Sequence, residues 1–379
     1  MHRLTDQRDE RGRSVRVLIV SHTNLSWTAT YARYFAGRGD MVQVVSFHPD
    51  RVPGVPCEFV GVEPFDKYAN KQLYLTRAPR VAAISRRFRP DVVLATYLIS
   101  NGLSAALACD APLVVSARGG DVRDLYARGD WRNVARRIVI RFVCDRAEAV
   151  HCVSGELRER LLELGVSAAR IFEWPMGVDL RRFAPGLRPA PDGHIRMICT
   201  RKHEPIYDIP TILNAVARLD DRDRVRLTIA GGGHLLEAHR RRVADLGLHD
   251  VVDLTGERPN EEIARMLASS DIYISASHSD GTSSSLLEAM ACGVFPVVSR
   301  IPANTAWVRE GRDGLMFTPG RADELAGALR RAIRDSEMRR TAGVENRRKV
   351  ERDGDLSRNL ARTAELLERV VAATRRGAA

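Results

Sequence analysis

Two carboxylates eight positions apart, Asp280 and Glu288, frame the stretch of this sequence best equipped for chemistry, Ser279-Asp280-Gly281-Thr282-Ser283-Ser284-Ser285-Leu286-Leu287-Glu288-Ala289-Met290-Ala291-Cys292-Gly293. Gly281, Thr282, Ser283, Ser284 and Ser285 form a small-polar segment that can open a helix, with hydroxyls capping free backbone N–H groups. Leu286, Leu287, Ala289, Met290 and Ala291 give that helix a buried face, and Gly293 ends it before a strand expected over 294–299. A helix N-terminus with exposed amides suits a phosphate or diphosphate. A carboxylate on each side of that anion can accept hydrogen bonds from sugar hydroxyls. The pattern describes a pocket for a nucleotide sugar.

The elements that must position these groups alternate along the chain. Strands are expected over 15–20, 41–47, 91–96, 112–117 and 149–153, with helices over 27–39, 70–88, 100–109, 131–147 and 154–164. The same grammar restarts after a Pro-rich stretch, with strands over 194–200, 226–230, 251–254, 271–276, 295–299 and 315–317. This is an α/β chain of two Rossmann-like, doubly wound parallel-sheet domains. The expected organisation is a flexible tail over 1–14, a first domain over 15–184 and a hinge over 185–193. A second domain over 194–352 follows, then a C-terminal helix over 353–379. Ligands of such sheets bind beyond the carboxyl ends of the strands, so two of them facing each other make a cleft.

Several motifs accompany the acidic pair. They are the segment Trp174 to Phe183, Ile229-Ala230-Gly231-Gly232-Gly233, Val252-Asp253-Leu254-Thr255-Gly256 and Asp313-Gly314-Leu315-Met316-Phe317. In this order they resemble the retaining GT-B glycosyltransferases of family 4, from about Val15 to the C-terminus and most strongly over the second half. Asp280 stands where that family normally has Glu. The resemblance implies transfer of a sugar from a nucleotide-diphosphate sugar to an acceptor hydroxyl, with retention of configuration and no obligatory metal or other cofactor. It also implies that the final helix crosses back to the first domain. Polysaccharide or glycolipid assembly is the setting it suggests, and a small-molecule acceptor stays open. The alternative is a non-catalytic sugar- or nucleotide-binding partner subunit, favoured by Asp280 and by the two departures noted below.

By resemblance, Glu288 accepts hydrogen bonds from the donor ribose and Asp280 holds hydroxyls of the transferred sugar. An Asp before Gly is also a common turn residue. Arg201 would offset charge on the departing diphosphate. The family's Lys five residues later is replaced by Ile206, which leaves Lys202 as the substitute. Ser283, Ser284 and Ser285 would offer backbone amides to the diphosphate, and Gly231 and Gly232 would let backbone approach the cleft. Arg258 falls where the family lines the nucleobase. The first domain has Ser21-His22-Thr23-Asn24-Leu25-Ser26 where the family carries a Gly-Gly loop, so His22 and Asn24 become acceptor candidates. Arg118, where His is common, cannot serve as a base but could bind an anionic acceptor or leaving phosphate. Asp121 would orient the acceptor hydroxyl or brace its loop.

At 379 residues and 44% hydrophobic residues the chain suits two soluble domains, without a run long enough to span a bilayer. A charged N-terminus without an apolar core argues against a signal peptide, so a cytoplasmic location is expected. The six cysteines lack zinc spacing and read as free, mostly buried thiols. Asp221-Arg222-Asp223 and Asp353-Gly354-Asp355 fall in linkers, which argues against a metal role. Net charge is +11, with 28 basic against 20 acidic residues up to Phe183. That surplus suits donor phosphates, a lipid-linked phosphate acceptor or a peripheral contact with an anionic membrane. Arginine used simply on solvated faces is the plainer reading. Helices over 74–88 and 131–142 mix Arg with apolar residues and could rest on anionic lipid, although core-facing helices look the same. No aromatic-basic platform or motif for nucleic acid accompanies the charge.

Overall fold

Short apolar runs such as Val17-Leu18-Ile19-Val20 and Val92-Val93-Leu94-Ala95 have no polar alternation, because both their faces are buried. The computed structural model describes residues 14–63, 70–123, 131–186 and 193–377. Most of the expected tail (1–13) and hinge (187–192) lies outside the described residues. The chain forms two compact units. One takes the residues up to Val153, Leu157–Glu173 and those from Leu360 onward, and the other Ser154–Glu156 and Trp174–Asn359.

The first unit holds seven strands: β1 (Arg16–Val20), β2 (Met41–Ser46), β3 (Cys57–Phe59), β4 (Val92–Thr96), β5 (Leu113–Ala117), β6 (Ala149–Cys152) and β7 (Ile171–Glu173). Every pairing is parallel, in the order β3-β2-β1-β4-β5-β6-β7. Leu18, Val45, Val93 and Val115 meet Val81, Ile84, Leu157 and Leu161 of the covering helices in its core. The C-terminal helix Leu356–Gly377 contributes buried Leu366, Leu367, Val370 and Val371. Within this unit Arg369 lies over the ring of Phe172, and Arg375 pairs with Asp91 at 2.8 Å.

The second unit holds six: β8 (Ile195–Cys199), β9 (Val225–Ala230), β10 (Val252–Gly256), β11 (Ile272–Ser275), β12 (Phe295–Ser299) and β13 (Leu315–Phe317). Their order is β10-β9-β8-β11-β12-β13, again parallel throughout. Both sheets are doubly wound, as the alternation predicts. The order reverses between β1 and β4 in one sheet and between β8 and β11 in the other. These are the switch points at which such sheets open a crevice.

Local departures have local causes. The single helix expected over 70–88 is two, Asn70–Thr76 and Ala78–Phe88, because Pro79 can open a helix but cannot continue one. The turn after β4 is a short π-helix, Leu98–Gly102, ahead of the helix Leu103–Ala108. Edge strands β3 and β7, three residues each, carry too little pattern to be read from sequence. All six thiols are free, and only Cys57 is not buried.

Candidate functional site

The second sheet reverses at β8 and β11, and the residues after those two strands converge. Ser283 caps the helix Ser284–Ala291, its hydroxyl accepting the Leu286 N–H at 3.3 Å. Gly293, at φ +71°, lets the chain turn from the helix into β12, as the sequence predicts. Arg201, two residues past β8, is 8% exposed and reaches across to this helix start. Its Nη1 donates to Ser283 Oγ at 3.1 Å and to Ser285 Oγ at 2.8 Å, and its Nη2 donates to Asp280 Oδ2 at 2.5 Å.

The sequence reading gave Arg201 to a diphosphate and Asp280 to a sugar. The structure joins them in a mostly buried ion pair. The serines contribute side chains here as well as backbone. The hydroxyls of Ser283 and Ser285 hold the guanidinium, while Ser284 is exposed. Gly281 donates its N–H to Asp280 Oδ1 at 2.8 Å, fixing the carboxylate from behind, and Thr282 is half-buried.

Two residues that the sequence reading missed complete the setting of Arg201. The ring of Tyr207 lies 4.1 Å from its guanidinium carbon. Tyr273, fully buried on β11, donates its hydroxyl to Ser285 Oγ at 2.9 Å, and burial pushes its pKa up to about 12. Tyr207 stands one residue after Ile206, which fills the family's Lys position and is 42% exposed. The loop holding Tyr207 is tied to the β11 loop, where His278 Nε2 meets Asp208 Oδ2 at 3.0 Å and the His278 N–H donates to Ile206 O. Only the aromatic type of Tyr207 and its closeness to Arg201 in sequence could have signalled its role.

Glu288 lies one turn into the same helix. Burial raises its pKa to about 7, against the opposing pull of the Arg201 and Arg182 charges. The carboxylate is therefore close to half protonated at neutral pH.

The glycine loop after β9 makes a close backbone contact beside Arg201. A Cβ on Gly231 would fall 2.3 Å from Arg201 O, and one on Gly233, at φ +143°, 2.6 Å from His203 O. The His203 N–H donates to Gly232 O at 2.8 Å. These glycines admit the Arg201–His203 backbone, and so set the direction of the Arg201 side chain. His203 Nδ1 lies 2.7 Å from His239 Nδ1. Burial, with the His239 and Arg240 charges, lowers the His203 pKa to about 4, which keeps that ring neutral. Lys202 is exposed, so neighbouring residues at this strand end point to different surroundings. Arg258 is an exposed arginine 3.7 Å from Glu262, one helical turn on.

The first unit gathers its candidates separately. Ser21, 0% exposed, bonds Thr28 Oγ1 at 2.7 Å and Thr96 Oγ1 at 2.6 Å, bracing the loop after β1 against β4. His22 Nε2 meets Tyr74 Oη at 2.9 Å, and burial, with the His48 charge, lowers the His22 pKa to about 4. Asn24 is exposed. Arg118 donates to Tyr31 Oη at 3.0 Å, its guanidinium 5.2 Å from the centre of the Trp27 ring and 5.4 Å from that of Tyr31. Asp121 is on the short helix Gly120–Arg123, and its side chain lies outside the described residues.

Known proteins carry the same architecture. The family model of glycosyl transferases group 1 matches residues 189–349, and that of glycosyltransferase family 4 matches residues 26–182. The sulfoquinovosyl transferase SQD2 of Arabidopsis thaliana is 26% identical over 344 residues, covering 85% of this chain, which spans only 66% of that protein. A GDP-mannose-dependent alpha-(1-6)-phosphatidylinositol monomannoside mannosyltransferase of Mycolicibacterium smegmatis is 26% identical over 342 residues, 81% of this chain and 87% of that protein. Among solved structures, Anabaena HepE in complex with UDP superposes with a TM-score of 0.78 at 16% identity, over 93% of this chain and 99% of that one. Two matched family models, in the expected order over two doubly wound sheets, place the chain among the group 1 glycosyltransferases, enzymes of GT-B fold.

Proposed function

We propose that this glycosyltransferase takes its sugar from a nucleoside-diphosphate sugar held by the second unit. It passes that sugar to a saccharide or lipid-linked acceptor with retention at the anomeric carbon and without an obligatory metal. The observation that carries the reading is the guanidinium of Arg201, held by Ser283 and Ser285 at the start of the helix that bears Glu288. A cation and helix amides together suit a diphosphate, and an acceptor-only carboxylate one turn on suits the ribose diol.

In this reading the incoming diphosphate takes over the Nη2 donor, and Asp280 is released to hold hydroxyls of the sugar. As the C1–O bond to the diphosphate breaks, Arg201 and the helix amides stabilise the charge left on its oxygens. The acceptor oxygen bonds C1 on the same face, and its proton passes to a diphosphate oxygen. Arg118, which follows β5, and Trp27, at the start of the helix Ser26–Gly37, are assigned to the acceptor. The UDP bound by HepE and the GDP-mannose named for the mycobacterial relative support a nucleotide donor, and their difference leaves the base open. The phosphatidylinositol mannoside in that relative's name supports a lipid-linked acceptor in glycolipid or polysaccharide assembly.

Calorimetry of the purified protein with UDP, GDP and ADP and their sugars, with and without EDTA, tests the reading. One nucleotide series should bind equally with and without the chelator, and Glu288→Ala should weaken that binding at least about tenfold. Unchanged binding and turnover in Glu288→Ala would overturn it. The anomeric configuration of the product, read by NMR, tests retention.

A further inference from the structure

We propose that a basic cavity at the amino end of β13 is a second ligand site, built for a small phosphorylated sugar or polyol. The cavity has a volume of about 400 Å³. One wall is the turn after the helix Pro302–Thr305, through Arg309 and Asp313. The facing wall is the last part of the helix Ser336–Asp353, through Glu345, Arg348, Lys349 and Arg352. Four cations thus meet two carboxylates around a space large enough for more than a bare ion. A basic residue in the last turn of a helix is ordinary, which accounts for Arg352 but not for Arg309 on the opposite wall. No residue of the donor site lines this cavity. Asp313 leads into β13 from its amino end, whereas Arg201 and Asp280 follow the carboxyl ends of β8 and β11.

Each cation is oriented on one side and open on another. Arg309 donates from Nε to Asp313 Oδ2 at 2.7 Å and from Nη2 to Asp313 Oδ1 at 3.1 Å, which leaves its Nη1 open. Arg352 commits Nε and Nη2 to Asp353, at 3.1 and 2.8 Å, and also keeps Nη1. Arg348 commits Nη1 to Glu345 at 2.6 Å and keeps Nε and Nη2. Lys349 donates to Ala306 O at 3.3 Å and to Trp307 O at 2.7 Å, so one of its three protons is left over. Lys349 forms no ion pair with a carboxylate among the described residues. Burial lowers its pKa, and the Arg309 and Arg352 charges lower it further against the pull of Asp313 and Asp353. An anion seated between the two walls relieves that repulsion, and phosphate oxygens suit guanidinium edges already fixed in direction. Glu345 engages Arg348 through Oε1, which leaves Oε2 to accept a hydroxyl. Cations for a phosphate and an acceptor oxygen for a hydroxyl describe a sugar phosphate. The inference does not depend on the assignment of the donor.

Calorimetry of the full-length protein with glucose 6-phosphate as the probe tests the site. The parent should bind the probe at low ionic strength, and added sodium chloride should weaken it. Glucose should not bind, and inorganic phosphate should bind about tenfold more weakly. Arg348→Gln with Arg352→Gln changes only exposed side chains. It should weaken the sugar phosphate at least about tenfold, while circular dichroism and the unfolding midpoint stay those of the parent. Arg201→Met with Asp280→Ala, which takes the cation out of the donor site, should bind the probe as the parent does. No binding by the parent at millimolar probe, or equal binding by the Arg348 and Arg352 double variant, overturns the proposal. So does loss of binding in the Arg201 and Asp280 double variant, since the probe would then occupy the donor site. Inorganic phosphate binding as tightly as the sugar phosphate overturns the ligand class, because the cavity would then hold an adventitious ion only.

Discussion

The ring of Tyr207 supports the guanidinium of Arg201 at 4.1 Å, six residues along the chain and one past the position where the family pattern has a lysine. An aromatic face orients the cation without competing for it with an incoming anion, as the Asp280 carboxylate does. Tyr207→Phe should therefore leave donor affinity within about twofold of the parent. Tyr207→Leu should lower kcat/KM about tenfold through lost orientation of Arg201. Steady-state kinetics with both variants separates the ring from its hydroxyl.

Removing Asp280 should damage the fold as well as the chemistry. Arg201 would keep its serines but lose its counter-charge in a buried place, and such a loss costs about 3 kcal/mol. Asp280→Ala should accordingly lower the urea midpoint, whereas a residue that only touched the sugar would leave it unchanged. Arg201→Met with Asp280→Ala, which removes both charges, should recover much of that stability while turnover stays abolished.

Glu288 should make stability fall as pH rises. Its folded pKa of about 7 lies above the ordinary value of 4.5, so the folded protein binds more protons than the unfolded chain between those limits. The contribution is fully present below pH 4.5 and is lost as pH rises through 7. It amounts to about 3 kcal/mol at most. Unfolding in urea at pH 5 and pH 8 should show this slope in the parent, and Glu288→Gln should flatten it. Donor binding should run the other way, strengthening as the carboxylate ionises.

Gly231→Ala places a Cβ 2.3 Å from Arg201 O, backbone that cannot step aside without moving the guanidinium. It should cost about 2 kcal/mol or more and lower turnover further than stability alone explains. Gly37→Ala is the control. A Cβ there meets nothing within 4 Å, and the residue ends a helix, so stability should stay level or rise by about 0.5 kcal/mol. Thermal unfolding with parallel activity assays distinguishes the two.

Much of the architecture was legible because buried parallel strands write themselves as short uncharged runs between amphipathic helices. β3 and β7 were not, since three residues at a sheet edge leave no pattern. Within the site, the spacing of Asp280 and Glu288 and the stop at Gly293 could be read locally, because one helix start sets all three. The pairing of Arg201 with Asp280 could not. It links positions 79 apart, brought together only because β8 and β11 lie side by side. The same limit hid Tyr273, whose place inside β11 reads as an ordinary core residue. Gly231-Gly232-Gly233 announced a close approach of backbone, but what approached was decided by the pairing of β8 with β9.

The ion pair of Arg201 and Asp280 bears finally on the company this enzyme keeps in a cell rich in inorganic phosphate. An arginine with its own carboxylate already in place presents a neutralised site to any passing anion. Free phosphate would have to displace Asp280 with only the helix amides to hold it besides. A nucleotide sugar brings a base, a ribose and hydroxyls that the released carboxylate can bind. The resting pair thus favours ligands with several attachment points over abundant small anions, and millimolar buffer phosphate should be a poor inhibitor.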